Sequence, residues 1–348
     1  PRPNPELEKR FTTETRRPAG LIRYCDGCDW LSDAVIRLSV QIETSIHLDP
    51  DLTDLIGLVV SQDNSCRFCF GAQRAFLRIL GMEQARITRL EQDLLISDFS
   101  EQDRTALDFA RRLSRSDPLV KSTDLEAIRQ QGISDAEIKE LAGQIGLHVF
   151  FNRISTLVAL PPKPMEQFPD TWWARLARPL LAIRFRQMRK RGQAVDLSRD
   201  ERDGPFSAVV NGLDGLPVAG QLRIVLDNLL SSNAITPRAV PLIFAVIARA
   251  LGCKASEREA ARLLVERGLD ENEVAEVLTH LSSPDLSEVE RKVVVLARET
   301  VWYQPVQIQR KCREFGADLT REQFLEFVGA ASVANAICRL GVLSGDCQ

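Results

Sequence analysis

Apolar residues recur at intervals of three and four along most of this chain, and runs that alternate apolar with polar residues are rare. That period belongs to helices with a buried face, so the pattern predicts an all-α protein. The periodicity breaks at turn residues such as Asp49-Pro50, Gly81 and Pro161-Pro162. One stripe runs Cys66, Cys69, Gln73, Phe76 and Leu80, with spacings of three, four, three and four, and predicts a helix that turns two sulfurs inward and partly buries them. A later stripe, Ile138, Leu141, Ile145, His148, Asn152 and Ser155, puts three polar side chains on an otherwise apolar face. Polar groups on a core face need partners. No apolar run approaches about 20 residues, so no bilayer span is expected.

The pattern also repeats. Displacing the sequence by 187 positions sets Pro50 on Pro237, Leu55-Ile56 on Leu242-Ile243, Cys66 on Cys253, Leu77 on Leu264 and Gly81 on Gly268. The same shift carries Ser100-Glu101 onto Ser287-Glu288 and Ala110-Arg111 onto Ala297-Arg298; after one deletion, Arg153 meets Arg339. A constant offset over most of each half predicts two tandem helical repeats, one within residues 1–162 and one over 204–348, joined by a connector at 163–203. The second repeat has lost chemistry: Cys69 becomes Ser256, Gln73 becomes Ala260 and Asp54 becomes Pro241, and no imidazole stands opposite His148.

Composition narrows the picture further. With 348 residues, 44% of them apolar and 27% charged, and a net charge of -3, the chain fits a soluble globular protein with no overall attraction to nucleic acid. Eight cysteines are too few for a disulfide scaffold at this length, so a reducing cytoplasm is the expected setting. The stretch Pro1 to Phe11 is charged and proline-rich, unlike a secretory leader. Phosphate loops, Gly-x-Ser-x-Gly, His-Glu-x-x-His and calcium loops are absent from the sequence, which leaves nucleotide, serine-hydrolase, zinc-protease and EF-hand readings without support.

Cysteines three apart on the first turn of a helix share one face, close enough to join, and the unpaired N–H groups of a helix start favour thiolate over thiol. A lowered thiol pKa is therefore expected at Cys66/Cys69. The same spacing also fits two core cysteines packed as small hydrophobes.

The stretch Asp51 to Gln73 resembles the signature of the AhpD-like, carboxymuconolactone decarboxylase superfamily. That signature has an acid twelve positions before the first cysteine, then Cys-x-x-Cys, then a histidine four after the second. Asp54, Cys66 and Cys69 stand in place, and Gln73 occupies the histidine position. The resemblance implies an all-α fold that forms homo-oligomers and a thiol-disulfide or hydroperoxide-reducing activity without a cofactor. It further implies that Cys69 attacks a peroxide or disulfide, Cys66 resolves the product to an internal disulfide, Asp54 tunes the proton relay, and an external thiol reductant protein resets the pair. Decarboxylase members generally lack the paired cysteines. A non-catalytic assembly or binding protein on the same fold, or a decarboxylase-like enzyme, are the alternatives.

Glutamine cannot take a proton, so the histidine's replacement leaves a gap in the chemistry. Of three histidines, His47 precedes a turn and His280 lies near a loop; neither receives a role. His148, with Asn152 nearby, is expected to face the thiol pair and supply the imidazole, the alternative being a satisfied core histidine. A second Cys-x-x-Cys, Cys25 and Cys28, is expected to relay electrons to Cys66/Cys69 rather than to complete a four-cysteine zinc site; an isolated reactive pair is the third reading. Single cysteines at Cys253, Cys312, Cys338 and Cys347 carry no pairing logic, and Cys347 is expected to be exposed. In the connector, Trp172-Trp173 is followed by Arg175, Arg178, Arg184, Arg186, Arg189, Lys190 and Arg191, interleaved with Leu180, Leu181, Ile183, Phe185 and Met188. This basic amphipathic helix over 172–191 fits peripheral contact with an anionic membrane, or docking on its own protein or a second subunit.

Overall fold

The computed structural model describes residues 3–92, 98–162 and 169–345. Cys347 and the start of the connector at 163–168 lie outside them. The helices of the first part are α1 (Pro5–Thr15), α2 (Ile22–Cys25), α3 (Asp29–Gln41), α4 (Pro50–Asp63), α5 (Arg67–Leu80), α6 (Gln84–Gln92), α7 (Glu101–Arg115), α8 (Ser122–Gln130) and α9 (Asp135–Leu157). The connector contributes α10 (Trp172–Met188) and the short α11 (Arg199–Arg202). There follow α12 (Ser207–Asn211), α13 (Pro217–Ser231), α14 (Ala239–Ala250), α15 (Lys254–Glu266), α16 (Glu271–His280), α17 (Glu288–Glu299), α18 (Pro305–Gly316) and α19 (Arg321–Leu340). The all-α expectation holds: extended structure among the described residues amounts to β1 (Thr44–Ser45) paired in parallel with β2 (Lys190–Arg191), plus an isolated bridge between Val195 and Gly215.

Helix starts follow local chemistry. Asp49 caps α4 and Pro50 occupies its first turn, where a missing N–H costs nothing. Ser134 and Glu137 form a reciprocal capping box at α9, and Thr320 with Gln323 does the same at α19. Those two helices cross the centre of the molecule packed against each other, while α4 lies against α5, α7 and α9, and α14 against α15, α17 and α19. Unlike a surface helix, α9 is buried on all sides from Leu141 to Leu157.

Burial of polar groups at this centre is compensated. The Glu140 carboxylate on α9 accepts the backbone N–H groups of Ile46 at 2.7 Å, His47 at 2.5 Å and Leu48 at 3.0 Å. The Glu326 carboxylate on α19 accepts those of Ala234 and Ile235, both at 2.9 Å, and the Ser232 hydroxyl. Arg153 on α9 donates to the Val301 carbonyl at 2.9 Å, and Arg339 on α19 donates to the Ser114 carbonyl at 3.2 Å. Each guanidinium thus reaches a carbonyl from the opposite half of the sequence.

The expectation that no segment is long and apolar enough for a bilayer needs correction. Arg321–Ser344 meets that test, since its most apolar 18-residue window has a mean hydropathy of 1.5, yet 89% of that window is buried inside the protein. Glu326, Asn335 and Arg339 break up the run in the sequence, and their partners within the fold make it a core helix.

Candidate active site

The dithiol sits where α4 hands over to α5. Ser65, with φ of 50°, takes a left-handed turn that lets the Cys66 N–H reach the Ser61 carbonyl at 3.0 Å. Cys66 thereby becomes the N-cap of α5, and its sulfur accepts the Cys69 N–H at 3.4 Å. Both thiols are free, with their Sγ atoms 2.7 Å apart. The stripe expected on α5 is half-buried because it borders open space: Cys69, Gln73 and Phe76 line a cavity of about 240 Å³.

Asp54 from α4 and His148, Asn152 and Ser155 from α9 line the same cavity. The sequence-predicted set of Asp54, Cys69, Gln73, His148 and Asn152 is therefore gathered around one space, with Cys66 immediately behind Cys69. Gly57 on α4 makes the approach possible: a Cβ there would stand 2.6 Å from His148 Cε1, 2.8 Å from its Nε2 and 2.9 Å from Gln73 Nε2. Asn152 accepts a hydrogen bond from the Ser61 hydroxyl at 3.3 Å, while its buried amide nitrogen finds no partner among the described residues.

The two sulfurs differ in acidity. Burial pushes the Cys66 thiol up, but hydrogen bonds from the Cys69 thiol and backbone and from Thr156, with the nearby Arg153 guanidinium, outweigh it and bring the pKa below the ordinary value. Cys69 moves the opposite way, raised well above that value by burial and by the neighbouring Cys66 sulfur, with Ser155 pulling against both. The expected lowered pKa thus belongs to Cys66, whereas Cys69 faces the cavity. Behind Cys66, the Tyr303 hydroxyl lies 3.4 Å from Thr156 Oγ1, and the Arg153 guanidinium rests over the Tyr303 ring at 4.2 Å.

At the polar end of the cavity burial pushes the Asp54 carboxyl up to about 7, against the pull of the Arg189 guanidinium that it pairs with. Arg189 also binds Asp51 at 2.7 Å and so fastens the connector to α4. Burial, with Arg17 adding to it, lowers the His148 imidazole to about 3, so the ring is neutral across the physiological range. Arg17 pairs with Glu43, and both line the cavity.

Sequence reasoning missed Arg17, Glu43, Arg189, Arg153, Thr156 and Tyr303. Arg153 left a trace as the residue that meets Arg339 in the repeat, and Arg189 as one of the connector's basic residues, neither with a role at the thiol pair. The second motif is elsewhere: Cys25 and Cys28 are buried against α3, do not line the cavity, and are pushed up by burial, Cys28 to about 12. Among the described residues no group of three or more histidine, cysteine or acidic side chains is placed to hold a metal, so the four-cysteine zinc arrangement does not form. Comparison with protein-family models, with curated proteins and with solved structures finds no match to this chain.

Proposed function

We propose that the chain is a thiol-dependent oxidoreductase of the AhpD-like type that reduces a hydroperoxide with the Cys66/Cys69 pair. The observation that carries this reading is a pair of free sulfurs 2.7 Å apart, one of which opens on a cavity shared with Asp54, Gln73 and His148. Cys66 is the first of the pair to ionise, which leaves the Cys69 thiol holding the one remaining proton. Its transfer to Cys66 frees the Cys69 sulfur to attack the terminal oxygen of the peroxide. The S–O bond forms, the O–O bond breaks, and the alkoxide leaves with a proton from Asp54, whose raised pKa keeps part of the population protonated near neutrality. Cys66 then attacks the sulfenic sulfur; an S–S bond forms and hydroxide departs with the Cys66 proton as water. The peroxide gains two electrons and the dithiol loses two. Neutral His148 and Gln73 hydrogen-bond the substrate, and an external thiol protein returns the pair to its reduced form.

The same reading takes the chain as two AhpD-like repeats, the second degenerate. Support comes from the paired roles of Glu140 and Glu326, and from Arg153 and Arg339, each reaching across to the other half. Cys253 occupies the N-cap position of α15 as Cys66 does that of α5, though without a side-chain cap bond, and its sulfur lies 3.2 Å from the Ser256 hydroxyl that replaces the second thiol. A Cys–Ser pair cannot close a disulfide.

A sulfenic acid trap tests the proposed roles. With Cys66→Ser, hydroperoxide should leave a sulfenic acid at Cys69 that a cyclic 1,3-dione captures. With Cys69→Ser no adduct should form, and an adduct on Cys66 in that variant would reverse the assignment.

A further inference from the structure

We infer that the outer face of α10 is a docking surface for an anionic lipid bilayer. Half of the large apolar side chains that the described residues leave exposed lie on this one helix: Trp172, Trp173, Leu176, Leu180 and Ile183, all between 52% and 73% exposed. At 100° per residue they form a single stripe, with the indole rings of Trp172 and Trp173 stacked at 3.9 Å at its start. The opposite face is already used. Ala174, Ala182 and Met188 are buried, and Phe185 packs on Phe76 with ring centroids 4.9 Å apart at the cavity.

The chemistry of the borders selects the occupant. Exposed Arg184 flanks the stripe on one side and exposed Arg186, which also donates to the Leu80 carbonyl at 3.4 Å, on the other, positions from which the remaining guanidinium N–H groups reach lipid phosphates while the stems cover apolar surface. No acid interrupts the sequence between Asp170 and Asp196, although the whole chain carries a net charge of -3. The segment is thus locally basic within a chain of slightly negative net charge, and apart from Arg189, which pairs with Asp51 and Asp54, its arginines would orient the protein on a negative surface. A second copy stacked on this stripe with α10 parallel would set these arginines against their own equivalents, so among second-copy arrangements only an antiparallel one escapes that repulsion, and ultracentrifugation reads it out. Paired tryptophans beside a basic border match the boundary between headgroups and acyl chains. Because the inner face of α10 lines the thiol cavity, docking brings that cavity within one helix diameter of the bilayer.

Co-sedimentation of the full chain with phosphatidylcholine vesicles, with and without about one-third phosphatidylglycerol, tests the surface. The expected result is binding to the anionic vesicles alone, abolished by high salt. Arg184→Gln with Arg186→Gln should weaken it about thirtyfold. Trp172→Ser with Trp173→Ser should weaken it about tenfold or more, with thermal unfolding unchanged because these side chains are mostly exposed. Binding indifferent to lipid charge, absence of binding, or a self-association in ultracentrifugation that the tryptophan variants abolish would each overturn the inference. None of these outcomes touches the thiol chemistry, which is read out without lipid.

Discussion

Gly57 is the position where the geometry of the cavity can be tested by a single methyl group. An added Cβ would meet the His148 ring at 2.6 Å and the Gln73 amide at 2.9 Å, both closer than van der Waals contact. Overpacking of this kind costs about 1–3 kcal/mol. Alanine in place of a mid-helix glycine returns up to about 1 kcal/mol through the unfolded chain, so Gly57→Ala should lose up to about 2 kcal/mol net. Gly143 on α9 supplies the control: its added Cβ meets nothing nearer than Leu213 at 3.5 Å, ordinary contact, so Gly143→Ala should be neutral or gain up to about 1 kcal/mol. Denaturant unfolding of the two variants should separate them by about 1–3 kcal/mol, with Gly57→Ala the weaker, and only that variant should change the alkylation rate at Cys69. Equal stability, or an unaltered Cys69 rate, refutes the convergence of His148 and Gln73 on α4.

Replacing Asp54 by Asn should flatten the pH dependence of stability. The carboxyl's folded pKa of about 7 lies above its ordinary value, so its contribution is complete below about pH 4 and fades as pH rises through 7. An undiminished decline over that window in Asp54→Asn would contradict the assignment. Thr156→Val should raise the Cys66 pKa, followed by thiolate absorbance, and Tyr303→Phe should raise it less. Glu140→Ala and Glu326→Ala should each cost about 3 kcal/mol in denaturant unfolding, since each strands several buried donors. A large cost for one and none for the other would separate their roles.

The helical class was legible because apolar spacing reports burial of one face, and α5 and α9 carry it clearly. The dithiol was legible too, since its spacing is a local property of one helix turn. His148 became a candidate through its place on the α9 stripe and its loss opposite residue 334. What lay hidden depends on contacts between distant segments. Arg17 and Glu43 reach the cavity only because the first 43 residues fold back over α5 and α9, and Arg189 only because the connector is fastened to α4. Tyr303 touches Thr156 across 147 positions of sequence, a pairing no periodicity records. The acidity of the sulfurs was half legible: a helix start favours thiolate in general, and the Cys69 thiol and N–H act within that one turn, but Thr156 and Arg153, which also lower the Cys66 pKa, come from a distant helix.

The account rests on Cys66 and Cys69 acting as a reversible redox pair, and peptide mass spectrometry after one equivalent of organic hydroperoxide tests that directly. The expected product is a single bond between these two sulfurs, two hydrogens lighter than the reduced protein, that a dithiol reductant reverses while Cys25 and Cys28 remain reduced. Persistence of both thiols in alkylatable form after the peroxide is added would contradict it.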